Sequence, residues 1–168
     1  SGQQSLFLAL ACTSAERCLL VVFYSLFPRQ ADLCEWLDEQ GVRYPSQTSR
    51  NPTLAEIKAV IASHPKWQAE LSDEREGKRF SALLTEVTDA ESAERISWCM
   101  VQIIALQPGP NEFYFENGDP LMVLEFLCEL CITTGPLVLI TDTGAPPLVV
   151  HPGSSSQELF DGWGNDAG

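Results

Sequence analysis

The stretch from Asn111 to Val150 constrains this chain more than any other, because it carries its own start and stop signals. Phe113-Tyr114-Phe115-Glu116 has the aromatic content of a strand, and Asn117-Gly118-Asp119-Pro120 has turn chemistry. Asp119 then serves as an N-cap, Pro120 fits the first helical position, and Gly135 stands just past the helix end. Between them Leu121, Leu124, Leu127, Cys128 and Cys131 recur at helical steps, with Glu125 and Glu129 on the opposite face. Leu137 to Thr141 and Leu148 to Val150 read as strands joined by a tight turn at Asp142-Thr143-Gly144. Strand, helix, strand and strand in that order require a sheet with a helix laid across it.

The rest of the chain supplies more of the same layers. Leu6 to Cys12 reads as a strand, and the β-branched and aromatic run from Cys18 to Leu26 favours a second strand in a hairpin over a helix capped at Thr13 and Glu16. Helices are expected near 29–40, ended by Gly41, and near 54–64, where Thr53 and Glu56 form a capping box ahead of Leu54, Ile57, Val60 and Ile61. Residues 70–79 have mixed charge and read as a mobile surface loop; Phe80 to Val87 fits a strand. Thr88 and Glu91 form another capping box, so a helix is expected to begin near Asp89. The run 97–106 is apolar on both parities and fits either a helix or a buried strand. The expected fold is α+β: one domain over 1–152, a mixed or mostly antiparallel sheet with helices packed on one face, and an acidic Ser/Gly-rich tail over 153–168 docked on it.

Charge narrows the range of partners. The chain has 168 residues and a formal net charge of −13, which disfavours nucleic acid and anionic membranes as partners. The charge is also lopsided. Of 23 acids, nine lie in residues 96–168, which contain no Lys or Arg; the other 14 share residues 1–95 with all 10 bases. A one-sign field of that kind favours a basic partner. The six cysteines, at 12, 18, 34, 99, 128 and 131, have apolar neighbours and no regular spacing, so free core thiols in a cytoplasmic protein are expected. Residues 5–12 lack the basic flank of a signal peptide, and no apolar run reaches the ~18 residues of a membrane helix.

Motifs that could carry chemistry have simpler explanations. Asp142-Thr143-Gly144 followed by Ala145 resembles the catalytic tripeptide of retroviral-type aspartic proteases, which would imply a pair of carboxylates sharing a proton. Thr141 stands where that family has an apolar residue, and a turn between two strands accounts for the same letters. Cys128 and Cys131 have the spacing of a redox or zinc pair, but they fall late in an apolar helix. Neither His64 nor His151 comes with a second pair of ligands. No Gly-x-Ser-x-Gly elbow and no phosphate loop occurs.

These readings converge on a non-catalytic acidic protein-binding module of bacterial type. An immunity protein or antitoxin that neutralises a basic toxin would fit, with no cofactor and no metal. The expected contact residues are Glu112, Glu116 and Asp119 before the long helix, with Glu158, Phe160, Asp161 and Trp163 from the tail. The alternatives are a small enzyme with dispersed catalytic residues and an acidic adaptor or chaperone subunit.

Overall fold

Strand alternation on both sides of a central ribbon organises the fold. A computed structural model describes residues 22–73, 79–86 and 97–165. In chain order the strands are β1 (Phe23–Phe27), β2 (Trp67–Asp73), β3 (Phe80–Glu86), β4 (Trp98–Ile103), β5 (Tyr114–Gly118), β6 (Leu137–Thr141) and β7 (Leu148–Val150). The helices are α1 (Ala31–Glu39), α2 (Leu54–Ser63), α3 (Pro120–Thr134) and α4 (Ser156–Asn165). The strands form one sheet in the order β2-β3-β4-β5-β1-β6-β7, and every pairing is antiparallel.

Side chains alternate across the pleat, so each strand feeds two faces. Tyr24 and Leu26 of β1, Val101 of β4, Phe115 of β5 and Leu139 of β6 point into the main core, where they meet Leu124, Phe126, Leu127 and Leu130 of α3. Ile57 and Ile61 of α2 join that core, and Leu159 and Trp163 of α4 pack against it. Each fully buried Leu or Phe is worth about 1.5–3 kcal/mol, against a total stability of roughly 5–15 kcal/mol for a domain. The α+β architecture with helices against the sheet is therefore as expected, and α2, α3 and α4 share one face. α1, expected near 29–40, lies on the opposite face from the other three, a placement the sequence did not indicate. Leu37 of α1 packs with Val138 and Val149, which point the other way, and Leu33, Val42, Tyr44 and Ile140 close around them.

Local signals placed two of the helices correctly. Asp119 Oδ1 accepts from Leu121 N at 3.0 Å, and Gly135 ends α3 at φ 81°. Both halves of the α2 capping box form: Glu56 N donates to Thr53 Oγ1 at 3.2 Å, and Thr53 N to Glu56 Oε2 at 2.9 Å. Gly118 has a different reason to be glycine. At φ 125° it faces Cys99 across a bulge in the β4–β5 ladder, and an added Cβ would lie 2.6 Å from Cys99 Cα.

Other expectations need correction. Residues 70–73 are not loop; they belong to β2, an edge strand anchored by buried Trp67, while Glu70, Leu71 and Ser72 are exposed. The ambiguous run after residue 97 is a strand, because Cys99, Val101 and Ile103 fill the core and Met100 and Gln102 fill the other face. Phe23–Phe27 is a strand, but its two neighbours are β5 and β6, far along the chain, rather than a hairpin partner. The expected strand over 6–12 and the helix beginning near Asp89 lie outside the described residues. Within the Ser/Gly-rich tail, for which no regular element was expected, residues 156–165 are helical, and Leu159, Phe160 and Trp163 recur at helical steps. Trp163 Nε1 donates to Pro146 O at 3.0 Å.

Candidate functional site

The face of β1 and β5 turned away from α3 carries the second parity of both strands. On β1 these are Phe23, Ser25 and Phe27; on β5 they are Tyr114 and Glu116. Register places Phe23 opposite Glu116 and Ser25 opposite Tyr114. Glu112 extends the β5 row one period back, so Glu112, Tyr114 and Glu116 alternate beside Phe27, Ser25 and Phe23. A cleft of about 820 Å³ opens there, lined by Phe23, Phe27, Ile104, Pro110, Glu112 and Tyr114 among others. Seven large apolar side chains are exposed among the described residues, and three of them, Phe23, Phe27 and Ile104, line this cleft. Apolar exposure gathered in one place marks an interaction site more readily than the same exposure scattered.

The cleft wall is held by a buried asparagine. Asn111 is 3% exposed; its Oδ1 accepts from Gln107 N at 2.7 Å, and its Nδ2 donates to Gln107 O at 3.2 Å and Gly109 O at 2.7 Å. Its backbone N–H reaches Pro52 O at 2.7 Å, tying this loop to the start of α2. Asn51, next along that chain segment, also lines the cleft, and its Oδ1 is buried with no hydrogen-bond donor among the described residues. An orphaned buried acceptor costs about 1–3 kcal/mol until a donor reaches it.

Beside the cleft runs a polar relay. Tyr114 Oη donates to Gln102 Oε1 at 3.3 Å, and Gln102 Nε2 donates to Glu116 Oε2 and, at 3.3 Å, to Met100 Sδ. Gln102 is 9% exposed, so the relay is fixed from within the sheet. Loss of hydration, followed by the Glu116 charge, raises the Tyr114 phenol above its ordinary range, with the Arg79 charge opposing; the phenol stays a hydrogen-bond donor.

The residues picked out in the sequence fall into two groups that the fold keeps apart. Glu112 and Glu116 lie at or beside the cleft. Asp119 is committed to structure: its Oδ2 accepts from Ser97 Oγ at 2.9 Å while Oδ1 caps α3. Glu158, Phe160, Asp161 and Trp163 are on α4, which packs on α3 across the sheet from the cleft. Asp161 accepts from Gln157 Nε2 at 2.9 Å, and Phe160 and Trp163 line a separate hollow of about 310 Å³ with Tyr24 and Pro120. Phe23, Phe27, Ile104 and the Gln102 relay were not picked out, although aromatics at both ends of Phe23–Phe27 and acids flanking Tyr114 at period two were the available signals.

The remaining motifs have structural partners. Asp142 is exposed in the β6–β7 turn, and its Oδ1 accepts from Phe23 N at 3.1 Å, which pins the start of β1. The Cys128 and Cys131 thiols are pushed up to about 11 and about 12, first by burial, the reverse of an activated thiol pair. Cys34, Cys99, Cys128 and Cys131 are free; Cys12 and Cys18 lie outside the described residues. His64 stacks on Trp67 with ring centroids 4.0 Å apart, and its Nε2 is 3.8 Å from Glu125 Oε2. Burial, then the Glu86 charge, raises the Glu125 carboxyl above its usual range, and His64 opposes that shift. Among the described residues no group of three or more His, Cys, Asp or Glu side chains could hold a metal ion, and no helix is long and apolar enough to cross a membrane. No protein-family model, curated protein or solved structure matches the chain.

Proposed function

We propose that this chain is a non-catalytic protein-binding module that captures a basic protein, in the manner of a bacterial immunity protein or antitoxin. The observation that carries the reading is the cleft. Half-exposed Phe23, Phe27 and Ile104 give an apolar floor of the kind that anchors a partner, while Glu112 at the rim and Glu116 beside it supply the sign of charge. The net charge of −13, with no Lys or Arg in residues 96–168, extends that sign across the half of the chain that contains β5. Free thiols at Cys34, Cys99, Cys128 and Cys131 fit action in a reducing compartment such as the cytoplasm.

Binding of this kind is steered by charge and held by apolar anchors, so the two contributions separate kinetically. A pull-down from the source cell supplies the partner, and surface-plasmon kinetics then test the reading. The on-rate should fall steeply between low and physiological salt and should drop in Glu112→Gln/Glu116→Gln, whereas Phe27→Ala should act on the off-rate. An acidic partner, or an on-rate indifferent to salt and to the paired Gln substitution, would leave the acidity as a solubility feature.

A further inference from the structure

We infer that the open face selects arginine over lysine: a guanidinium from the partner lies against the Phe23 and Tyr114 rings and pairs with the Glu116 carboxylate. The inference rests on the basic-partner reading and adds a choice of side chain to it. Charge alone does not distinguish the two cations. The shape and fixity of this patch do.

Phe23 lies opposite Glu116 in the β1–β5 register, and Tyr114 is its diagonal neighbour, with ring centroids 6.0 Å apart and planes tilted by 48°. One carboxylate and two aromatic rings therefore border the same small area of sheet. A guanidinium is planar, weakly hydrated and able to stack on a ring while its edge engages a carboxylate. An ammonium is compact and strongly hydrated, and it gains less from the same surroundings.

Gln102 holds the carboxylate from behind. Its Nε2 donates to Glu116 Oε2, and its Oε1 accepts a hydrogen bond from the Tyr114 hydroxyl. The reversed amide would set an oxygen against the carboxylate, so the relay has one sensible direction. Glu116 Oε1 accepts no hydrogen bond among the described residues. An arginine fork recognises a carboxylate best when that group is fixed, and here the buried amide fixes it. Two more acceptors belong to the adjoining cleft: the Glu112 carboxylate and the orphaned Asn51 Oδ1. At Glu116 itself, two parallel N–H donors on one edge of a guanidinium match a fixed carboxylate better than an ammonium whose donors radiate from a single atom.

Fluorescence anisotropy with labelled peptides tests the inference directly. The probes are a peptide of alternating arginine and glycine, its lysine counterpart and its uncharged citrulline counterpart, each titrated with the full chain at physiological salt. The arginine peptide should bind roughly three- to five-fold tighter than the lysine peptide, and citrulline should abolish binding. Phe23→Leu and Glu116→Gln should each weaken the arginine peptide and erase its preference over lysine. Tyr114→Phe keeps the ring but frees Gln102, and should narrow the preference while leaving lysine binding unchanged. Thermal melts of the variants confirm folding, and Phe23→Leu, a half-exposed apolar swap, keeps the test available if Glu116→Gln does not fold. Equal binding of the arginine and lysine peptides would overturn the selection while leaving a basic partner in place. Binding of neither would overturn both readings at this site.

Discussion

β1 and β5 show the same two strands doing opposite things on their two faces. Toward α3, Tyr24, Leu26 and Phe115 are buried among helix side chains, and the Tyr24 hydroxyl donates to Gly118 O at 3.3 Å. On the other face, one residue along, Phe23 and Phe27 are each 38% exposed and Glu116 sits in a relay of side-chain hydrogen bonds. Hydrophobicity does not distinguish the faces, since both carry phenylalanines. The difference is whether a helix covers them. α1 covers the second face only over β6 and β7, and the cleft begins where that cover ends.

The sharpest break of this contrast compares adjacent residues. Phe115→Ala removes a fully buried ring that makes an edge contact with Phe126 at 5.3 Å, and should cost about 3–5 kcal/mol. Tyr114→Ala, one position away, should cost less, about 1–3 kcal/mol for the Gln102 acceptor it orphans, and should also weaken partner binding. Denaturant unfolding and binding titrations on both variants would settle it. If stability losses were equal, the two faces would be one core. Next in size is Gly118→Ala. The added methyl meets the Cys99 backbone and the residue keeps a left-handed φ, so about 2–3 kcal/mol should be lost. Because the β4–β5 bulge falls between Phe115 and Gly118 and so contains Glu116, arginine preference should fall along with stability in that variant.

The smallest expected effect is a pH dependence lodged in the helices over the core face. Glu56 is pulled down to about 2, chiefly by its hydrogen bond from Arg50 and also by Thr53 in the capping box. A depressed carboxyl contributes its full stabilisation above its unfolded value of 4.5 and loses it as pH falls toward 2. Arg50 is 44% exposed, so solvent screening holds the contribution to about 1–2 kcal/mol, cap included. Glu56→Gln should lose that amount at neutral pH and flatten the acid limb of a stability curve between those values, while peptide binding at the cleft stays unchanged. An acid limb as steep as in the unmodified chain would show that other carboxylates dominate.

What the sequence could reveal followed the distinction between local and distant causes. The caps of α2 and α3 depend on residues within one turn, so Thr53, Glu56, Asp119 and Gly135 were readable. β2 was not, because from Trp67 to Ser72 this edge strand buries Trp67 and leaves the other five side chains exposed, with no alternation to detect. β4 was ambiguous because Met100 and Gln102 are covered nearly as well as Val101 and Ile103. The candidate site divides the same way. Glu112 and Glu116 are visible in the sequence by their charge, but Phe23 comes beside Glu116 only through strand pairing, and no local pattern encodes that register. Asp119 shows the complementary case: a carboxylate at a helix start is as useful to the fold as to a partner, and its two oxygens accept from Ser97 Oγ and Leu121 N.

The position of β1 in the middle of the sheet has a consequence for how the protein is made. Its contacts lie far downstream: Val22 N donates to Asn117 Oδ1 across 95 residues, and Phe23 N to Asp142 Oδ1 across 119. Translation at ~5–20 residues per second leaves β1 outside the ribosome for on the order of ten seconds before either neighbour exists. During that interval Phe23, Tyr24, Leu26 and Phe27 have no sheet to enter, and the cleft that depends on β1 cannot form. The proposed binding surface is thus assembled late, and a nascent chain cannot form the cleft until β5 has been synthesised.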